Sequence, residues 1–172
     1  GDLDIYVGNI TGGTENQDSR TNPYILLNDG NADFTVVGIT DWFTGVSDDV
    51  LPASILSRNT VHTTSLFLDA DQDGDQDLFL GSADIQDSPH KLLLNDGSGN
   101  FTEGSELPAG LFGASDTVTV DAKTFDFDGD GNQDILAVST GSDPFYHGAT
   151  LQVLLSNADG TFEDASQSYL SA

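Results

Sequence analysis

The sequence predicts an all-β chain made of three repeated, four-stranded antiparallel units. Three observations carry that prediction. Apolar residues fall in short runs such as Leu78-Phe79-Leu80 and Leu92-Leu93-Leu94, bounded by Asn-, Asp- and Gly-rich turns. Of the 29 acidic residues only Glu15, Glu103, Glu106 and Glu163 are Glu. Asp competes with the backbone for hydrogen bonds and suits turns, whereas Glu favours helices. Finally, the same motifs return along the chain, the mark of a repeat architecture.

The elements can be taken in order. The segment Gly1-Asp2-Leu3-Asp4-Ile5-Tyr6-Val7-Gly8 matches the second half of a unit that is complete at Asp69 to Leu80 and again at Asp126 to Ala137. Asp4, Asp77 and Asp134 occupy one position of that unit. A second signature follows each copy: Leu26-Leu27-Asn28-Asp29-Gly30 to Phe34, Leu93-Leu94-Asn95-Asp96-Gly97 to Phe101, and Leu154-Leu155-Ser156-Asn157 to Phe162. Asn-Asp-Gly between apolar runs signals a hairpin, because Asn and Gly accept positive φ. Leu51-Pro52-Ala53 and Leu107-Pro108-Ala109 form a third signature. The repeats are placed at 1–62, 63–118 and 119–172, each about 60 residues or slightly less. In the complete unit, strands are expected from Thr63 to Leu68, Asp77 to Gly81, Lys91 to Leu94 and from Phe101 onward. No segment has helical periodicity, and only Asp49 to Ser57 has room for a helical turn. Four-stranded units repeated radially are the logic of a β-propeller, so each unit reads as a propeller-like blade.

The first unit carries an insertion at 35–50, containing Trp42, Phe43 and Ser47-Asp48-Asp49. Insertions into repeats map to one face, often the binding face. Trp42 and Phe43 are therefore candidate ligand or interface residues, and so are Phe145 and Tyr146 of the Gly141 to Tyr146 loop, whose rings could stack on sugars. Packing at or between blades is the competing role for both pairs.

The Asp-rich loops carry the chemistry. Acids at positions 1, 3 and 5 with Gly at 6 wrap oxygen ligands around a hard cation, and position 7 offers a carbonyl. The first loop would supply Asp69, Asp71, Asp73 and Asp77, with the carbonyl of Asp75. The second would supply Asp126, Asp128, Asp130 and Asp134, with the carbonyl of Asn132. Flexible coordination by six or more oxygens suits Ca²⁺ better than Mg²⁺. An EF-hand fails here, since position 12 is Leu80 or Ala137 rather than Glu and the flanks read as strands. The acid at position 9 closes the site instead. Asp2 and Asp4 remain as a half-site.

Asp-x-Asp-x-Asp-Gly-x-x-Asp followed by an apolar strand and a Leu-Leu-Asn-Asp-Gly hairpin ending in Phe resembles the FG-GAP/VCBS repeat, over nearly the whole chain. The resemblance implies blades of an integrin-α-like β-propeller, of the kind found in many bacterial secreted and surface proteins. It also implies a Ca²⁺ in each complete loop that holds the blade rigid without doing chemistry. Propellers of this family close with more blades than three. The expectation is therefore an open propeller, completed by further blades or by other copies of the chain through open sheet edges, as a ring or a filament.

Composition excludes several functions. Four Lys plus Arg against 29 acids give a net charge of -25 and a pI near 4.1. Such a chain lacks the cations needed to grip phosphates, so nucleic acid is not an expected partner. No apolar run approaches the ~18 residues of a membrane helix. There is no Cys. His62, His90 and His147 fall at non-equivalent positions, and no Gly-x-Ser-x-Gly or His-Glu-x-x-His motif occurs, so no enzymatic activity is expected. Loops of this kind suit the Ca²⁺ supply outside cells. Asn9-Ile10-Thr11 and Asn100-Phe101-Thr102 match the glycosylation pattern, placing Asn9 and Asn100 as candidate acceptors. The expected role is extracellular, structural or adhesive. The alternatives are a module binding glycans or extracellular proteins, excised from a larger surface protein, or an accessory domain of a secreted hydrolase or lyase.

Overall fold

The computed structural model describes residues 4–8, 23–37, 50–52, 54–55, 62–82, 89–110, 117–141 and 147–170. The strands are β1 (Ile5–Val7), β2 (Tyr24–Asn28), β3 (Phe34–Val37), β4 (His62–Leu68), β5 (Asp77–Ser82), β6 (Lys91–Asn95), β7 (Phe101–Glu103), β8 (Thr117–Phe125), β9 (Asp134–Gly141), β10 (His147–Ser156) and β11 (Phe162–Asp164), followed by helix α1 (Ser166–Leu170). They form three antiparallel sheets in which neighbours in sequence pair: β1-β2-β3, β4-β5-β6-β7 and β8-β9-β10-β11. The all-β expectation holds.

Register shows that the sheets repeat one another. Ile5 pairs with Leu26, Leu78 with Leu93, and Ile135 with Leu154. One turn later, Asn28 pairs with Phe34, Asn95 with Phe101, and Ser156 with Phe162. By this matching β1 corresponds to β5 and β9. The first sheet thus has three strands among the described residues, one fewer than expected, and the counterpart of β4 and β8 is the strand it lacks.

The middle sheet is covered on both faces, which is why β5 is apolar at consecutive positions. Leu78 and Leu80 face the first sheet with Leu93 and Phe101, where they meet Ile25, Leu51 and Ile55. Phe79 and Leu92 face the third sheet, where they meet Ala122, Ile135, Leu154 and Phe162. Burying each Leu or Phe contributes roughly 1.5–3 kcal/mol. The Leu-Pro-Ala leucines act as wedges: Leu51 enters the first interface and Leu107 the second.

The first strands of the second and third sheets lie side by side, with Thr63 Oγ1 donating to the Thr119 carbonyl at 2.6 Å. Gly81 sits where β4, β5 and β8 converge. A Cβ there would lie 2.4 Å from Thr64 Cγ2 and 2.9 Å from Thr119 Cβ, so no side chain fits without displacement.

Two local features lie outside the sheets. Within Asp49 to Ser57, Ile55 N–H bonds the Pro52 carbonyl at 2.9 Å, closing a turn. Helix α1 was not expected. Its five residues are too few to show periodicity, and it is set by Asp164 Oδ1 accepting the Ser166 N–H at 2.8 Å. No helix among the described residues is long and apolar enough to cross a membrane.

Candidate metal centre

Two acidic loops join the first and second strands of their sheets, 69–77 between β4 and β5 and 126–134 between β8 and β9. Their backbones follow one path. Position 6 has φ +95° at Gly74 and +94° at Gly131, the left-handed conformation that only glycine adopts without strain. Position 4 is left-handed too, at Gln72 (φ 61°) and Gly129 (φ 83°). The acids at positions 3 and 5 then accept the N–H two residues ahead. Asp71 accepts from Asp73 at 3.3 Å and Asp73 from Asp75 at 2.9 Å. Asp128 accepts from Asp130 at 3.1 Å and Asp130 from Asn132 at 2.8 Å. These bonds curl the loops so that their carboxylates converge.

The structure brings together Asp69, Asp71 and Asp77 in one loop and Asp126, Asp128 and Asp130 in the other, with carboxylate oxygens of each trio within 4.8 Å of one another. Asp73 and Asp134 stand outside these trios. Such oxygen-only sets fit a hard dication. In the first loop Asp69 Oδ1 is buried with no hydrogen-bond partner among the described residues, and a cation would satisfy it. In the second loop the matching residue is turned inward. Asp126 Oδ1 accepts from Gly129 at 2.6 Å and Asp130 at 3.1 Å, and its Oδ2 accepts from Gly131 at 3.1 Å.

Position 9 has a structural duty that spacing alone did not show. Asp77 is fully buried, with Oδ2 accepting the Ala70 N–H at 2.8 Å and Oδ1 the Asn95 N–H at 2.9 Å. Asp134 repeats this with Phe127 at 2.7 Å and Ser156 at 2.9 Å. Asp4 accepts the Asn28 N–H at 2.9 Å. The position-9 acid therefore ties its loop to the third strand of the same sheet. Burial raises the Asp77 pKa to about 6, and the Asp71 and Asp73 charges add to the rise against the two amides. At Asp128 the Asp130 N–H favours the charged form, yet desolvation and the charges of Asp130, Asp134 and Asp126 leave the carboxyl above its ordinary value. In both, neighbouring carboxylate charges add to desolvation.

The loops also touch each other. Gln133 Oε1 accepts the Asp69 N–H at 2.9 Å, and Gln72 Nε2 donates to Asn132 Oδ1. The sequence signal for the first link was the Gln at position 8 of both loops, Gln76 and Gln133. Asn100 is exposed, and its amide donates to Asp96 Oδ2 at 2.8 Å across the β6–β7 turn. Asp2, Asn9, Trp42, Phe43, Phe145 and Tyr146 lie outside the described residues.

Paired acidic loops between the leading strands of successive antiparallel sheets define a β-repeat protein with acidic turns. Residues 69–137 match the FG-GAP-like repeat family, so this segment is similar to that repeat. The match runs from position 1 of one loop through the whole of the other. No curated protein and no solved structure matches the chain.

Proposed function

We propose that this chain is a non-enzymatic, Ca²⁺-stabilised β-repeat scaffold that works outside the cell in a structural or adhesive role, its sheets acting as propeller-like blades. The buried Asp69 Oδ1, with no hydrogen-bond partner among the described residues, carries the reading beside Asp71 and Asp77, and in the second loop Asp126, Asp128 and Asp130 converge. Ca²⁺ would be held by these carboxylates, with Asp73 and Asp134 and the carbonyls of Asp75 and Asn132 near by. Bound there, it supplies the positive charge that crowded acids lack and so fixes the loops that connect each sheet's first two strands. Extracellular placement is supported by the FG-GAP-like repeat and by the Ca²⁺ concentrations that such loops require.

Calorimetric Ca²⁺ titration tests this reading, with thermal unfolding measured in Ca²⁺ and in chelator. A cation that binds only the folded chain stabilises it by about 2.7 kcal/mol at a hundred times its dissociation constant. A raised melting temperature and heat of binding, both lost with Asp71→Ala plus Asp128→Ala, are expected. No binding and no shift in the wild-type chain would overturn it.

A further inference from the structure

The two faces of the middle sheet define two halves of an interface that occurs twice within the chain. One half is formed by the residues that sheets two and three present to the sheet before them: Leu78, Leu93 and Phe101, then Ile135, Leu154 and Phe162, all buried. The first sheet carries the same half in Ile5, Leu26 and Phe34, by register. Here Ile5 is 45% and Phe34 43% exposed, whereas Phe101 and Phe162 are 5% and 8% exposed. Val36 strengthens the case. Its counterparts by register are the exposed acids Glu103 and Asp164, yet the first sheet places an apolar side chain there, 44% exposed.

The other half lies on the outer face of the third sheet. There Phe125 and Leu151 are exposed, with Tyr169 and Leu170 of α1 beside them. Phe125, Phe127 and Tyr169 stack with ring centroids 4.0 and 5.7 Å apart. Between Leu151, Asp164, Gln167 and Leu170 lies a cleft of about 760 Å³. In the internal interfaces the segment after the last strand puts Leu51 against Phe101 and Leu107 against Phe162. Tyr169 and Leu170 occupy the corresponding stretch after β11, where Tyr169 meets Phe127 of its own unit.

We propose that the outer face of β1–β3 docks on the outer face of β8–β11 of a second copy of this chain, head to tail, with Phe34 and Val36 entering the cleft beside α1. The occupant is a second copy because each copy carries both halves of an interface that its own sheets already form twice. The sheet faces, not the sheet edges, make the contact. Such a heterologous contact grows into a ring or a filament. The proposal rests on the repeat-scaffold reading but not on its metal.

Sedimentation and light scattering over a wide concentration range, at about 0.15 M salt to screen the acidic surface, test it. The wild-type chain is expected to exceed its 18.1 kDa protomer mass as concentration rises. Phe34→Asp and Leu151→Asp each remove one face and are expected to remain protomers. Mixed one to one, they retain one intact face each and are expected to form dimers and nothing larger. Both positions are exposed, and Val36→Lys serves if Phe34→Asp does not fold. A wild-type chain that stays a protomer throughout, or face variants that associate as the wild type does, overturns the proposal. Calcium titration of the Phe34→Asp protomer separates the two readings. Binding heat without wild-type association sinks only the docking, and association without binding heat sinks only the metal.

Discussion

The side-chain oxygen of Gln133 accepts the backbone N–H of Asp69 at 2.9 Å, across 64 residues of sequence. Gln72 returns the link by donating to Asn132, so the two acidic loops clasp each other in both directions.

This clasp should be measurable. Gln133→Ala is expected to lower the unfolding free energy by roughly 0.5–1.5 kcal/mol, the worth of one hydrogen bond. Gln72→Ala and Gln133→Ala cut the same junction, so the double variant should depart from additivity by about 0.5 kcal/mol or more. Urea unfolding of the four proteins in chelator gives the answer, and strict additivity would mean that the two bonds act separately.

Position 9 and position 3 of each loop should behave as different kinds of residue. Asp77→Ala strands the N–H groups of Ala70 and Asn95, and a loss of about 2–4 kcal/mol is expected with or without Ca²⁺. Asp71→Ala gives up only an exposed bond to Asp73 and should change the chelated protein by about 0.5 kcal/mol or less. Its cost should appear in Ca²⁺. Thermal melts in both conditions check the contrast.

Acid should weaken the metal-free fold. Burial lowers both His62 and His90 to about 4. The unfolded chain takes up those protons near pH 6.5, so stability falls as pH drops from there toward 4. Asp77 works in the opposite sense. Raised to about 6, it holds a proton in the folded state that the unfolded chain has released, so acidification below pH 6 favours folding through this group. Two histidines outweigh one aspartate, and a net loss of about 3 kcal/mol between pH 7 and pH 4.5 is expected. Urea unfolding in chelator across that range tests the sign, and Asp77→Asn should make the loss steeper.

Gly81→Ala should cost about 1–3 kcal/mol by overpacking the junction of β4, β5 and β8. The companion substitution Thr64→Ser removes the Cγ2 methyl that lies 2.4 Å from the added Cβ and should recover part of that loss. Unfolding of the single and double variants shows whether the contact or the backbone is responsible.

Much of this molecule was legible before any coordinates. The short apolar run Leu92-Leu93-Leu94 and the Asn-Asp-Gly turns gave β6, β7 and their connection, because apolar runs and turn chemistry are local properties. Gly74 at position 6 was readable for the same reason. The left-handed backbone at Gln72 was not, since that residue type carries no such preference. Nor could spacing separate Asp77 from Asp71: both are acids of one motif, and only burial and the two amides distinguish them. Helix α1 escaped notice because one turn is set by a cap and a neighbour, not by periodicity.

The grips made by Asp4, Asp77 and Asp134 all close within their own unit, whereas the Gln133–Asp69 bond and the Gly160 N–H to the Ala70 carbonyl cross from one unit to the next. Each unit therefore sets its own strand register and asks of its neighbour only a matching face. A lineage built this way can gain or shed whole units by duplication and deletion, while a break inside one would separate an aspartate from the amide it holds.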